Sequence, residues 1–131
     1  MRNTPQNRAL AEVLMKEVEK LYDFASADIF WRVVPNGNSI YVEVGKIIAG
    51  EDYVRSFLFT GDRLAAFVAS RRIIESIALT DKILHDAAFR NTIKPEELRK
   101  ILVEDIGFQS WKVEELMATH SYKPPKAEKK A

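Results

Sequence analysis

The chain has 131 residues, of which 47% are apolar and 30% charged, with a formal net charge of +1 and no cysteine. This composition predicts a soluble globular protein with one core, and the lack of cysteine excludes disulfides, thiolate metal sites and cysteine nucleophiles. A net charge so close to zero does not indicate a globally basic nucleic-acid binder. No apolar run approaches the roughly 18 residues of a membrane span, and no signal peptide is evident, so we expect a cytoplasmic protein.

The first half of the chain changes from a helical to a strand pattern. Residues 8–24 carry apolar side chains three and four positions apart, which predicts an amphipathic helix. Residues 28–59 alternate as strands do, and Asn36-Gly37 is a strong hairpin signal. A fourth strand is expected only if Gly45 splits the second one. The three predicted strands are 29–34, 40–44 and 53–59.

The second half, residues 62–120, has the spacing of helices. Thr80-Asp81 resembles a cap inside the run, which is expected to divide or bend the helix there. Pro95 with the acids after it predicts a helix start, and Gly107 predicts a helix end. One apolar stripe is expected to lie across the core face of the sheet: Leu64, Phe67, Val68, Ile74, Ile77 and Ala78.

These elements predict an α+β fold, with a small antiparallel sheet of three to four strands packed with four to five helices. Residues 1–122 are expected to form a single domain, made of an N-terminal helix (8–24), a sheet (28–59) and a helical half (62–120). Residues 123–131 are rich in lysine and proline, which predicts a disordered tail.

The alternation within each strand predicts two different faces. An ordinary core face would carry Ile29, Trp31, Val33, Ile40, Val42, Val44, Val54 and Leu58. The opposite face would carry Phe30, Arg32, Tyr41, Glu43, Tyr53, Arg55, Phe57 and Phe59. The second face combines aromatic rings with arginines.

A face of this kind suits single-stranded DNA or RNA, because rings and guanidinium planes both stack on unpaired bases. We expect bases to stack on Phe30, Tyr41, Tyr53, Phe57 and Phe59, and phosphates to meet Arg32, Arg55, Arg63, Arg71 and Arg72. Two other interpretations stay open. The rings can form a buried layer under the first helix, or an interface of a structural or assembly protein such as a virion component or complex subunit.

Catalytic and metal-binding patterns are missing from the sequence. His85 and His120 have no further ligands at metal-site spacing. The paired acids lie at helix starts or loop edges, and no glycine-rich phosphate loop is present. A helix-turn-helix outline over residues 95–119 carries adjacent glutamates, which are unfavourable near phosphate. We therefore expect no enzyme, no metal and no cofactor.

The order of elements resembles the archaeal ThermoDBP-type single-stranded DNA-binding proteins. The residues that carry this resemblance are 29–38, IFWRVVPNGN, and 53–63, YVRSFLFTGDR, within an outline that covers residues 8–91. The resemblance implies binding of single strands in an apolar cleft edged by basic residues, and a homo-oligomer formed through helices. An archaeal, thermophilic source would also suit the high lysine, glutamate and isoleucine content.

Overall fold

The computed structural model describes residues 1–48 and 50–124. Within these residues the chain forms six α-helices, one π-helix and a three-stranded antiparallel sheet, which confirms the predicted α+β class. Two compact units divide the chain, Met1–Ile77 and Ala78–Ala131. The predicted tail lies outside the described residues from position 125 onward.

The first helix, α1 (Pro5–Leu21), begins and ends earlier than the predicted helix over residues 8–24. Thr4 caps it, since the hydroxyl of Thr4 accepts a 3.1 Å hydrogen bond from the Asn7 N–H, and proline occupies the first turn. Asp23 adopts a left-handed conformation with φ of 51°. This residue ends the helix and separates α1 from the one-turn α2 (Phe24–Ala27).

The sheet has the order β1-β2-β3, with all neighbours antiparallel. The strands are β1 (Phe30–Asn36), β2 (Ser39–Ile48) and β3 (Glu51–Leu58). Gly37, with φ of +60°, turns the first hairpin where the sequence predicts it. Gly45 lies inside β2 and does not split it, so the described residues contain no fourth strand.

The register of β3 differs from the prediction. Val42 pairs with Phe57 and Val44 pairs with Arg55, and directly paired residues share a face of the sheet. Tyr53, Arg55, Phe57 and Phe59 therefore lie on the same face as the valines of β2, and the prediction that Val54 and Leu58 belong to the core face was wrong. The cause is the length of β2, which continues to Ile48 and pairs Ile48 with Glu51 across a two-residue connection.

We call the two faces the inner face and the outer face. The inner face contacts α1, because Trp31 Nε1 donates a 2.7 Å hydrogen bond to Glu19 Oε2 on that helix. Ile40, Val42 and Val44 are fully buried there. The outer face carries Phe30, Arg32, Val34, Tyr41, Glu43, Gly45, Ile47, Val54, Ser56 and Leu58.

Helix α3 (Arg63–His85) is continuous through Thr80, so of the two alternatives at Thr80-Asp81 the division was wrong, and the bend stays a prediction. The Asp62 carboxylate caps its first turn, accepting a 3.0 Å hydrogen bond from the Leu64 N–H. The division lies at Asp86, whose carboxylate accepts from the Phe89 N–H and starts α4 (Ala87–Arg90).

The second unit is built around four fully or almost fully buried side chains: Ile83, Leu98, Leu102 and Val113. Helix α5 (Pro95–Lys100) begins at the predicted proline and continues into the π-helix Ile101–Ile106. Gly107 ends this run with φ of 79°, as predicted. The last helix is α6 (Ser110–Ala118).

Candidate interaction surfaces

The outer sheet face is organised in rows of side chains that run across the three strands. One row is Phe30, Gly45 and Val54; the next is Arg32, Glu43 and Ser56; the third is Val34, Tyr41 and Leu58. Ile47 lies beyond the first row and is 61% exposed, while Leu58 in the third row is 47% exposed. The face therefore presents two apolar rows separated by one charged row.

Arg32 is held within its own chain on this face. Its Nη2 lies 2.9 Å from Glu43 Oε1, and its Cζ lies 5.5 Å from the centroid of the Phe30 ring. The ion pair engages the Nε and Nη2 side of the guanidinium that the sequence assigned to phosphate. Glu43 and Asp52 also lie on this face, so the outer face has no excess of positive charge.

A shallow depression of about 240 Å³ lies on the same face. Val34, Tyr41, Glu43 and Ser56 line it, together with the Pro35-Asn36 end of β1. Tyr41 therefore remains partly accessible beside apolar neighbours and one carboxylate. An environment of apolar side chains and one carboxylate suits an apolar or neutral partner better than a phosphate backbone.

The structure does not unite the predicted aromatic site. Tyr53, Arg55 and Phe57 are half-buried on the inner face, opposite to Phe30, Arg32 and Tyr41. Phe59 is 1% exposed and belongs to the core, so the prediction that it stacks on a base was wrong. The Tyr53 hydroxyl donates a 3.1 Å hydrogen bond to Glu51 Oε2, and burial and this carboxylate raise the pKa of Tyr53.

A second surface is a groove on α3, which we call the α3 groove. It has a volume of about 490 Å³ and is lined by Tyr22, Leu64, Phe67, Val68, Arg71, Arg72 and Glu75. The Tyr22 hydroxyl donates a 3.3 Å hydrogen bond to the Phe67 carbonyl, which ties the end of α1 to this helix. Leu64 is 70% exposed, so the groove has an accessible apolar floor.

The three arginines that the sequence grouped in α3 all lie at this groove or beside it. Arg63 places its Cζ 5.3 Å from the centroid of Phe67 and its Nη2 2.9 Å from Glu17 Oε1. Arg71 Nε lies 3.1 Å from Glu75 Oε1. Arg72 is exposed and has no ion-pair partner among residues 1–48 and 50–124. The groove thus combines aromatic rings, aliphatic side chains and a net positive rim.

Sequence reasoning found these arginines but missed the floor of the groove. It assigned Leu64, Phe67 and Val68 to the core stripe, whereas the buried side of α3 in the first unit is Ala66, Ser70, Ile73 and Ile77. At about 100° per residue, Leu64 and Val68 lie on the side of α3 opposite to the buried set, and apolar residues on both sides of the helix hid the true core face from the sequence pattern. No sequence pattern indicated that Tyr22 belongs to this groove, because it follows α1 in a turn.

The described part of the chain contains no group of three or more histidine, aspartate or glutamate side chains that could hold a metal ion. His85 lies near a single acid, with its Nε2 3.6 Å from Asp81 Oδ1. None of the described helices has both the length and the apolar character needed to cross a bilayer.

Comparison of the chain with protein-family models, with curated proteins and with solved structures finds no match. The resemblance to ThermoDBP-type proteins therefore stays a prediction.

Proposed function

We propose that the protein is a non-enzymatic binder of single-stranded DNA or RNA, and that the strand lies in the α3 groove. The observation that carries this proposal is the presence of Phe67 and Tyr22 in the same groove as Arg71 and Arg72. Sequence-tolerant binding to single strands requires these two components, a stacking surface and a cationic rim. As part of the same proposal, the protein acts in the cytoplasm.

Stacking would take place on Phe67. The Arg63 guanidinium already lies over this ring at 5.3 Å, which supports access of a planar group to the ring. A base that stacks on Phe67 would displace the Arg63 guanidinium from the ring. The displaced guanidinium would then contact the next phosphate of the strand. Stacking on an aromatic side chain contributes about 1–3 kcal/mol per base and does not depend on base identity.

Phosphate binding would rest on the three arginines. Arg63 and Arg71 are paired with Glu17 and Glu75, but these ion pairs are exposed. Exposed pairs contribute only about 0–1 kcal/mol, so a phosphate can displace the glutamate at little cost. Contacts to about three phosphates of a single strand predict that the logarithm of the binding constant falls with the logarithm of the salt concentration with a slope of about −2.

The outer sheet face supports the second candidate function, a role in assembly. Phe30, Arg32 and Tyr41 remain on this face, but the only arginine there is paired with Glu43. Without an excess of positive charge, the face lacks the electrostatic attraction that sequence-independent nucleic-acid binding requires. Its exposed apolar rows favour a protein partner instead.

The test is a fluorescence-anisotropy titration of a labelled poly-dT oligomer at about 50 mM and about 200 mM salt. We expect salt-sensitive binding, and a loss of affinity of at least about tenfold in the Arg71→Glu, Arg72→Glu double variant. Arg99→Glu, Lys100→Glu is the matched control, because it changes the net charge by the same amount at two exposed basic residues outside the groove. Equal weakening by the control and the groove variant, or no binding at the lower salt, would contradict the proposal.

A further inference from the structure

We propose that the outer sheet face is the interface of a homodimer in which Arg32 of each copy pairs with Glu43 of the partner subunit. This inference does not depend on the α3 groove or on nucleic acid. It rests on the row order of the outer face and on the atoms that the ion pair within each chain leaves available.

The outer face has the composition of an interface and not of a solvated sheet. Its apolar side chains occupy the rows on both sides of the Arg32–Glu43 row, and Ile47 and Leu58 are exposed. The solvent-facing side of an antiparallel sheet normally carries the polar residues of each alternating strand. Exposed apolar side chains on two rows of one sheet face favour a binding partner over open solvent.

Charge selects a second copy as that partner. The face carries Arg32 on β1 next to Glu43 on β2. A second copy that is turned around therefore places its glutamate opposite this arginine and its arginine opposite this glutamate. Two sheets can pack face to face about a twofold axis that runs along the strands between β1 and β2. This operation places β1 of one copy over β2 of the other, with the rows kept in register.

The rows then match in chemistry as well as in charge. Arg32 lies opposite Glu43 of the partner subunit, and Val34 lies opposite Tyr41 of the partner subunit. Within one chain the pair uses Nε and Nη2 of Arg32 and Oε1 of Glu43. Nη1 of Arg32 and Oε2 of Glu43 therefore remain for the partner, and each guanidinium can bridge two carboxylates.

The size of the face sets the strength of the dimer. The axis superimposes only β1 and β2, and two strands of seven and ten residues, spaced about 4.8 Å apart, give an overlapping face of roughly 200–300 Å². A standard interface buries about 800 Å² per partner, so this one is at the weak end. We expect a weak, transient dimer that forms at high protein concentration and dissociates on dilution.

The experiment is sedimentation equilibrium over a range of concentrations on the full chain and on charge-reversed variants. Arg32→Glu and Glu43→Arg each place like charges across the interface, and each should weaken self-association by at least about tenfold. An equimolar mixture of these two variants restores opposite charges across the interface and should form a heterodimer. Within each variant the intrachain pair stays broken, so the mixture reports on the contact between chains alone.

Circular dichroism of each variant checks that the fold is kept. Val34→Asp provides a second disruption on the same face if a charge-reversed variant fails to fold, and it should also be monomeric. Arg72→Glu, which lies on α3 and not on the outer face, should dimerise as the unmodified chain does. A chain that stays monomeric at its highest soluble concentration overturns the proposal, and so does a mixture that fails to associate.

Discussion

Phe30 lies directly over Gly45 on the neighbouring strand, with its Cζ only 2.9 Å from the position that a β-carbon on residue 45 would occupy. Val54 Cγ2 and the Tyr53 carbonyl oxygen lie 2.8 Å from the same position. The ring therefore fills the space left by the missing side chain in the central strand. This contact explains why a glycine is required in the middle of a strand that would otherwise favour a β-branched residue.

Gly45→Ala should destabilise the first unit by about 1–3 kcal/mol, as overpacking does in a close-packed region. The gain from a less flexible unfolded chain, about 0.4–1 kcal/mol, is smaller. The clash dominates because one of the three atoms is a backbone oxygen, which cannot turn aside. Urea unfolding followed by circular dichroism measures the difference. Unchanged or increased stability would show that β2 and β3 can separate at this point without cost.

Trp31→Phe should lower the free energy of unfolding by about 1–2 kcal/mol, because it removes a hydrogen bond to a charged group. Trp31 donates to Glu19 at 2.7 Å, and this contact joins the sheet to α1. Trp111→Phe is the matched control, since Trp111 is exposed and its hydrogen bond to Gln109 is local. The control should change stability by no more than about 0.5 kcal/mol. Equal effects of the two substitutions would contradict the role assigned to Trp31.

Tyr53 should ionise at a higher pH than an ordinary tyrosine in an alkaline titration followed by absorbance. Burial, the hydrogen bond to Glu51 and the charge of that carboxylate all raise the pKa of Tyr53 above its ordinary value. The protonated phenol is thus favoured in the folded state. Its stabilising contribution is complete below the unfolded pKa of about 10 and is lost as the pH rises further.

Tyr53→Phe identifies the late transition, which should disappear from the titration. The same variant should lose less stability between neutral and alkaline pH than the unmodified chain. Glu51→Gln should lower the pKa of Tyr53 only in part, because burial is the largest cause of the shift. A most alkaline part of the titration that Tyr53→Phe leaves unchanged would contradict this assignment.

The fold class and several turn and helix-end positions could be predicted because they depend on local patterns. Pro95 begins a helix, Gly107 ends one, and Gly37 turns a hairpin, each through its own backbone preference. The face of β3 could not be predicted in this way. Alternation fixes which residues of one strand share a side, but the pairing of β2 with β3 fixes which sides coincide.

The same limitation explains the candidate site. The sequence placed Phe30 and Phe57 together, yet the register from Ile48↔Glu51 onward separates them by the thickness of the sheet. The arginines of α3 were found because they are close in sequence. Tyr22 was missed because its position beside Phe67 depends on the packing of α1 against α3, which no local pattern encodes.

Glu75→Gln should increase the affinity for single strands, which is a gain of function that structural damage would not produce. Glu75 lines the α3 groove and pairs with Arg71 at 3.1 Å, so it competes with phosphate for that guanidinium. Removing the charge of an exposed pair should raise affinity by about two- to fivefold at low salt. Glu12→Gln is the control, because it removes the same unit of charge from an exposed acid that does not line the groove. Anisotropy titration with labelled poly-dT measures both. Equal gains in the two variants would assign the effect to net charge, and no gain in Glu75→Gln would argue against phosphate binding at Arg71.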